Sequence, residues 1–194
     1  PTLRSSDLTR VSYDLNYRPS LWQQLGGAKR AQEVNRRLVE HVDVLFGNEE
    51  DFSVALGFEP EGQRDFDDLK PTAYAAMLRR VATAFPHLSL IATSLRVAGS
   101  ASENKWGGLV YDTKSEHIAF VPPEPVGILD RVGGGDSFAS GLLFGLFEGW
   151  DLETCLAAGV AHGALAMSTP GDTSMATRRE VERRMAGSGA RIER

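Results

Sequence analysis

The chain has 194 residues, 42% hydrophobic and 24% charged, with a formal net charge of -5. That is material for one globular domain or part of a larger one, and the acidic balance disfavours a broad nucleic-acid surface. The single cysteine, Cys155, excludes an internal disulfide and fits a reducing cytoplasm; no apolar run is long enough to span a bilayer, no signal peptide opens the chain, and His41, His87, His117 and His162 lack the spacing of a structural zinc site.

In chain order, "VSYDLNYR" predicts a short strand running into a loop that Pro19 stops. "AKRAQEVNRRLVEHV" sets Ala31, Val34, Leu38 and Val42 at helical spacing, with arginines on the other side. "DVLFGN" is a short buried strand. "NEEDFSVALGF" is a helix with Asn48 as N-cap and acids in its first turn. A polar loop, "EPEGQRDFDDLKP", leads to a second amphipathic helix, "TAYAAMLRRVATAF", and a buried strand, "LSLIATSL". "KWGGLVYDTKSEHIAFVPP" alternates around a turn-like "DTKS" and predicts a β-hairpin. Two helices rich in apolar and small residues follow, "SFASGLLFGLFEGW" and "LETCLAAGVAHGALAM", both expected to be buried. "TRREVERRM" closes the pattern, with Thr177 and Glu180 at capping-box spacing and its arginines as a solvated face. Alternating strands and helices in the first half predict an α/β fold with a largely parallel sheet.

"DRVGGGDSFASGLLFGL", from Asp130, carries three successive glycines at a helix start. Each costs about 1 kcal/mol of helix stability against alanine, which points to a backbone that something approaches closely. The dinucleotide fingerprint fits Gly133 and Gly135 but meets Phe138 at its third glycine. A Walker A loop requires a lysine, and none follows Lys114. A nucleophile elbow has Gly135 before Ser137 but Ala139 after it. Gly135, Asp136 and Ser137 match the "GDS" of GDSL-type esterases, yet no histidine has an aspartate three positions earlier. A nest of backbone N–H groups at a helix N-terminus fits best: the helix dipole adds positive charge, and together they hold a phosphoryl group. Asp136, at the same helix start, is placed to accept a hydroxyl proton. The alternative is a tight turn with Asp136 as a plain N-cap; the small residues Ala139, Ser140, Gly141 and Gly145 weigh against it, since they permit close backbone packing near a ligand.

These residues resemble the signature of the ribokinase-like (PfkB-type) sugar kinases: an Asp, a short spacer, then Gly-Ala-Gly-Asp opening a long helix. Gly134 stands where Ala is usual. Arg131, where Thr is commoner, is similar to the 2-keto-3-deoxygluconate kinase branch. "DLNYRPSLW" resembles that branch's strand, "NEED" its N-x-x-E motif, "TSLR" its strand end beside the nucleotide, and "AHGALAMSTPGD" the late helix that walls the adenine pocket. The resemblance covers nearly the whole chain.

It implies a catalytic base at Asp136 and an anion hole at Gly133, Gly134 and Gly135. It implies substrate and phosphate contacts at Asn16, Arg18 and Asp172, and nucleotide contacts at Ser94, Leu95, Arg96 and His162. Asn48 and Asp51 organise Mg2+ and phosphate, with Glu50 as a neighbour that could substitute. By its own setting in an apolar helix, His162 reads as a satisfied core histidine, and Trp22, Trp106 and Trp150 read as packing. The fold implied is α/β, ribokinase-like, a largely parallel sheet flanked by helices. Residues 1–194 then form the C-terminal portion of one kinase domain, the N-terminal strands and β lid being absent; the chain needs that segment, and the complete protein forms a homo-oligomer in the cytoplasm. The activity implied is transfer of the ATP γ-phosphate, with Mg2+, to a primary hydroxyl of 2-keto-3-deoxygluconate, with no nucleic-acid or membrane partner. The alternatives are a kinase for another sugar, such as fructose or ribose, or a nucleotide-binding fragment without catalysis.

Overall fold

A computed structural model describes residues 9–61, 71–98 and 103–187. The strands lie in one sheet in chain order: β1 (Ser12–Asp14), β2 (Val44–Gly47), β3 (Leu90–Ala98), β4 (Glu103–Asp112) and β5 (His117–Gly127). β1, β2 and β3 are parallel, with Ser12 opposite Val44 and Val44 opposite Leu90. Parallel neighbours need a crossover of about a dozen residues or more. The short links 99–102 and 113–116 therefore make the remaining neighbours antiparallel, and the sheet is mixed. The chain divides into two compact units, Pro1–Thr93 with Leu109–Ile118, and Ser94–Gly108 with Ala119–Arg194.

In the first unit, every residue of β2 is buried, as expected of a parallel strand covered on both faces. The loop after β1 ends at Pro19 as expected, and there a helix begins, α1 (Pro19–Gln23), where proline's fixed φ and missing N–H suit the first helical position. Helix α2 (Gly27–Val39) follows its apolar spacing only in part: Ala31 is buried, as is Val42 just beyond the helix, but Asn35 and Val39 also face inward while Leu38 is 46% exposed. Asn35 is tolerated there because its amide is satisfied. Its Nδ2 donates to the Ala31 carbonyl at 2.8 Å, and its Oδ1 accepts from the Tyr13 hydroxyl at 2.6 Å. After β2 the backbone makes a π-helical turn, Asp51–Leu56, ended by Gly57 in the left-handed region. Helix α3 (Pro71–Ala84) buries Tyr74, Met77, Leu78 and Val81 on one face. The polar loop expected at 59–71 falls largely outside the described residues.

In the second unit, helices α4 (Gly134–Phe147) and α5 (Leu152–Met167) cross at backbone contact. A Cβ at Gly141 would stand 2.7 Å from the Ala158 carbonyl oxygen, and one at Gly159 would stand 2.8 Å from that of Phe138. Gly141 and Gly145 of α4 thus serve the close backbone packing expected of them, and the element they admit is α5. Asp151 caps α5 by accepting from the Thr154 N–H at 2.7 Å. The predicted capping box is present at α6 (Arg178–Met185), with Thr177 and Glu180 satisfying each other's backbone. Arg178 is not merely solvated: it bridges Glu148 and Glu182 and lies over the rings of Phe144 and Trp150. Trp106 and Trp150 pack as expected, each edge-on to a phenylalanine. Among the described residues no helix is long and apolar enough to cross a membrane.

Candidate active site

The glycine corner is held from both sides. The Asp130 carboxylate accepts from Val132 N–H at 3.0 Å and from Gly171 N–H at 3.3 Å, which keeps it below the usual carboxylate range. Leu129 N–H and Asp130 N–H donate to the carbonyl of Met167 at the end of α5. Gly133 is the N-cap of α4 with φ +81°, and a side chain there would collide with the Asp172 carbonyl. Only glycine meets both demands. Gly134 is seated on Met167, its Cβ position 3.0 Å from that residue's Cγ. Gly135 has nothing within 4 Å of its Cβ position, and Gly135 and Asp136 are exposed. The first-turn N–H groups of α4 have no intrahelical acceptor and share the positive end of its dipole. The corner therefore presents open donors and a solvent-accessible carboxylate within one turn. Asp172 reaches it by its backbone; its side chain accepts from Thr173 Oγ1 at 3.2 Å.

His162, midway along α5, joins three segments of this unit. Ser140 Oγ donates to the Ser137 carbonyl and lies 3.1 Å from His162 Nδ1. Ser174 Oγ accepts from Ala176 N–H and lies 2.8 Å from His162 Nε2. The network is satisfied by a neutral ring with its proton on Nδ1, accepting from Ser174 at Nε2. Burial pushes the imidazole below its ordinary pKa. The ring also lines a cavity of about 270 Å³ among α4, α5 and α6, with Phe144, Trp150 and Val181 supplying apolar walls.

In the first unit, the loop after β1 carries Asn16 and Arg18, both exposed. Asn16 has φ +41°, a conformation asparagine tolerates better than most residues. Arg18 caps α1 and donates to the Tyr17 carbonyl at 3.1 Å. Asp51, 4% exposed, anchors this loop: its Oδ1 accepts from Tyr17 N–H at 2.6 Å and its Oδ2 from Asn48 N–H at 2.9 Å. Asn48 Oδ1 in turn accepts from Asp51 N–H at 2.9 Å. Burial raises the Asp51 pKa, while these amides and the Arg18 charge oppose the shift.

Asn48 and Asp51, expected to organise an ion, are thus tied to each other and to the Tyr17 loop. Their acceptor oxygens already serve backbone amides, and among the described residues no group of three or more His, Cys, Asp or Glu could hold a metal ion. Of the stretch beside the expected nucleotide, Leu95 is fully buried in the core, Ser94 half-buried and Arg96 exposed. Sequence reading missed the Asp51–Tyr17 anchor, whose partners are 34 positions apart, and the serine pair around His162. It also missed Asn104, near the start of β4, which is 1% exposed with neither amide atom hydrogen-bonded.

Comparison with known proteins agrees with this fold. Residues 102–179 match the pfkB family carbohydrate kinases. The chain is 30% identical over 186 residues to a 2-dehydro-3-deoxygalactonokinase of Haloferax volcanii, covering 96% of this chain and 50% of that protein. It superposes on the crystal structure of a 2-dehydro-3-deoxygluconokinase from Thermotoga maritima with TM-score 0.81 and 32% identity, over 92% of this chain and 50% of that one. A nucleoside kinase of Methanocaldococcus jannaschii, an archaeal member of the ribokinase family, shares the fold with TM-score 0.61 and 22% identity, over 92% of this chain and 48% of that one. The chain spans about half the length of these relatives. Residues 102–179, with the glycine corner and Asp136 inside them, belong to the pfkB family of carbohydrate kinases.

Proposed function

We propose that the protein transfers the γ-phosphoryl group of ATP to a primary hydroxyl of a sugar acid, 2-keto-3-deoxygluconate being the favoured acceptor. One observation carries this reading: an exposed carboxylate, Asp136, follows the exposed Gly135 in the first turn of α4, whose N–H donors have no intrahelical acceptor. A phosphoryl group seated on those donors and an acceptor hydroxyl beside the carboxylate supply the two requirements of the reaction, a stabilised anion and a proton acceptor. Asp136 takes the hydroxyl proton. The corner's amides hold the transferring group, with Arg18 as a second cation for the phosphates or the acceptor's carboxylate.

Kinases of this family use Mg2+ with the nucleotide. The Asn48 and Asp51 oxygens each accept one backbone N–H and keep a further lone pair, so the pair would still be able to order the ion and its waters. We also assign that pair to holding the Tyr17 loop, and with it Asn16 and Arg18. The relatives named for keto-deoxy sugar acids favour an acidic acceptor. A relative named cytidine kinase, 27% identical over 75% of this chain, supports a second reading in which the same machinery serves another hydroxyl acceptor.

The test is ATP-dependent release of ADP by the purified protein across 2-keto-3-deoxygluconate, 2-keto-gluconate, fructose, ribose and cytidine. Turnover on the keto-deoxy acid supports the proposal. Turnover confined to a neutral sugar or a nucleoside keeps the mechanism and discards the acceptor. ATP binding without turnover on any of them overturns the enzymatic reading.

A further inference from the structure

Buried polar groups in folded proteins are almost always hydrogen-bonded, and one that is not calls for a physical account. Asn104 is such a group: 1% exposed, with Oδ1 and Nδ2 both lacking a partner. Its neighbours on β4 fix where it lies. Side chains alternate along a strand, so Asn104, Trp106 and Gly108 share one face. Gly108 abuts the Phe138 ring on α4 and Leu156 on α5. Two residues earlier, Trp106 donates from Nε1 to the Val160 carbonyl at 3.1 Å and packs on Gly163, beside the Gly134 carbonyl. The strand thus runs back along α4 from Phe138 to the helix's first residue. The next step on this face, about 6.6 Å further, carries Asn104 past the end of α4. Met167, whose side chain seats Gly134 and whose carbonyl receives the corner's N–H groups, ends α5 four residues beyond Gly163.

We propose that Asn104 is a further ligand-binding residue of the site: its amide completes its hydrogen bonding on the phosphoryl group held at the Gly133 corner. This rests on the kinase reading above and adds to it a donor that no part of the family signature in this chain supplies. Nδ2 donates to a phosphoryl oxygen, and Oδ1 accepts from a water or hydroxyl that enters with the ligand. Because the amide is shielded in the ligand-free protein, the anion reaches it by parting the corner, so binding is coupled to a local backbone shift.

The experiment compares the wild-type protein with Asn104→Leu, an apolar replacement of similar size. Two quantities are measured: thermal stability without ligand, and the Kd for ATP with Mg2+ in the absence of an acceptor. Removing an unpaired buried amide leaves stability unchanged or raised. Losing a hydrogen bond to a charged group weakens binding by about tenfold to a hundredfold. The combination of undiminished stability and weakened binding is the expected result. Equal binding by Asn104→Leu overturns the proposal, and so does lowered stability with the Kd unchanged, which is the behaviour of an amide paired through structural water. No nucleotide binding by the wild type overturns the kinase reading instead, and this inference with it. A second measurement covers failure of the variant to fold: the side-chain amide resonances of Asn104 in labelled wild-type protein shift on titration with ATP and Mg2+, and resonances that stay fixed while other residues respond overturn the proposal.

Discussion

The carboxylate of Asp51 holds the backbone of Tyr17, 34 positions earlier, through a 2.6 Å hydrogen bond. The residues on either side of Tyr17 are Asn16 and Arg18, the two whose side chains the sugar-acid kinase reading sends to the substrate. Asp51 thus acts at a distance, fixing the loop from which they project. Replacing it with Asn leaves one acceptor for two N–H groups and turns an amide donor against one of them. The expected cost is about 1–3 kcal/mol of stability, measured by chemical denaturation. In activity, Asp51→Asn raises the KM of the acceptor more than it changes kcat. An unchanged acceptor KM at full folding would remove Asp51 from this role.

Gly133 and Gly135 are two positions apart and face opposite constraints. At Gly133, φ is +81° and a side chain meets the Asp172 carbonyl. Gly133→Ala therefore loses at least about 1–2 kcal/mol from backbone handedness alone, and the collision adds to that. At Gly135 there is open space, and Gly135→Ala gains about 0.5–1 kcal/mol of helix stability while placing a methyl group where the phosphoryl group sits. Melting temperatures should move in opposite directions for the two variants, while nucleotide affinity falls in both. A Gly135→Ala protein that binds ATP normally would show that this face of the corner does not meet the ligand.

Asp136 is exposed and free of any anchoring duty to its own helix, whose N-cap is Gly133. Asp136→Asn keeps the shape and removes the base. Turnover should fall by about 10²- to 10⁴-fold, with the Kd for ATP unchanged by calorimetry. A variant that retains near-normal kcat would show that proton transfer runs elsewhere.

His162 makes the stability of the second unit depend on pH. Its folded pKa lies below the ordinary imidazole value of 6.5 because the ring is partly buried. Between the two values the unfolded chain binds the proton more readily, so stability rises with pH there and is lost as pH falls through the folded pKa. The contribution is fully present above 6.5. His162→Gln, which retains a donor and an acceptor for Ser140 and Ser174, should flatten the slope below that value in denaturation curves taken across mildly acidic pH. A slope of wild-type steepness would assign the pH dependence to other groups.

Much of this protein is written locally. The corner is legible because three glycines beside an aspartate at a helix start have few physical explanations, and the capping boxes, the hairpin and the alternation of strands and helices follow from short-range rules of spacing and propensity. What the sequence alone did not determine depends on partners distant along the chain. Leu38 was expected inward and Asn35 took that place, because a tyrosine hydroxyl from β1 satisfies its amide. Gly141 was read as permitting close backbone packing, but that its partner is α5 is known only from the fold. Asp51 was read as an ion organiser, and its hold on the Tyr17 loop was not foreseen. Asn104 gave no signal at all, since burial without a hydrogen-bond partner is a property of packing. Composition and periodicity fix which face of a segment prefers to be buried. Which polar group on that face can bear burial is decided only when the fold brings, or withholds, the atom that pairs with it.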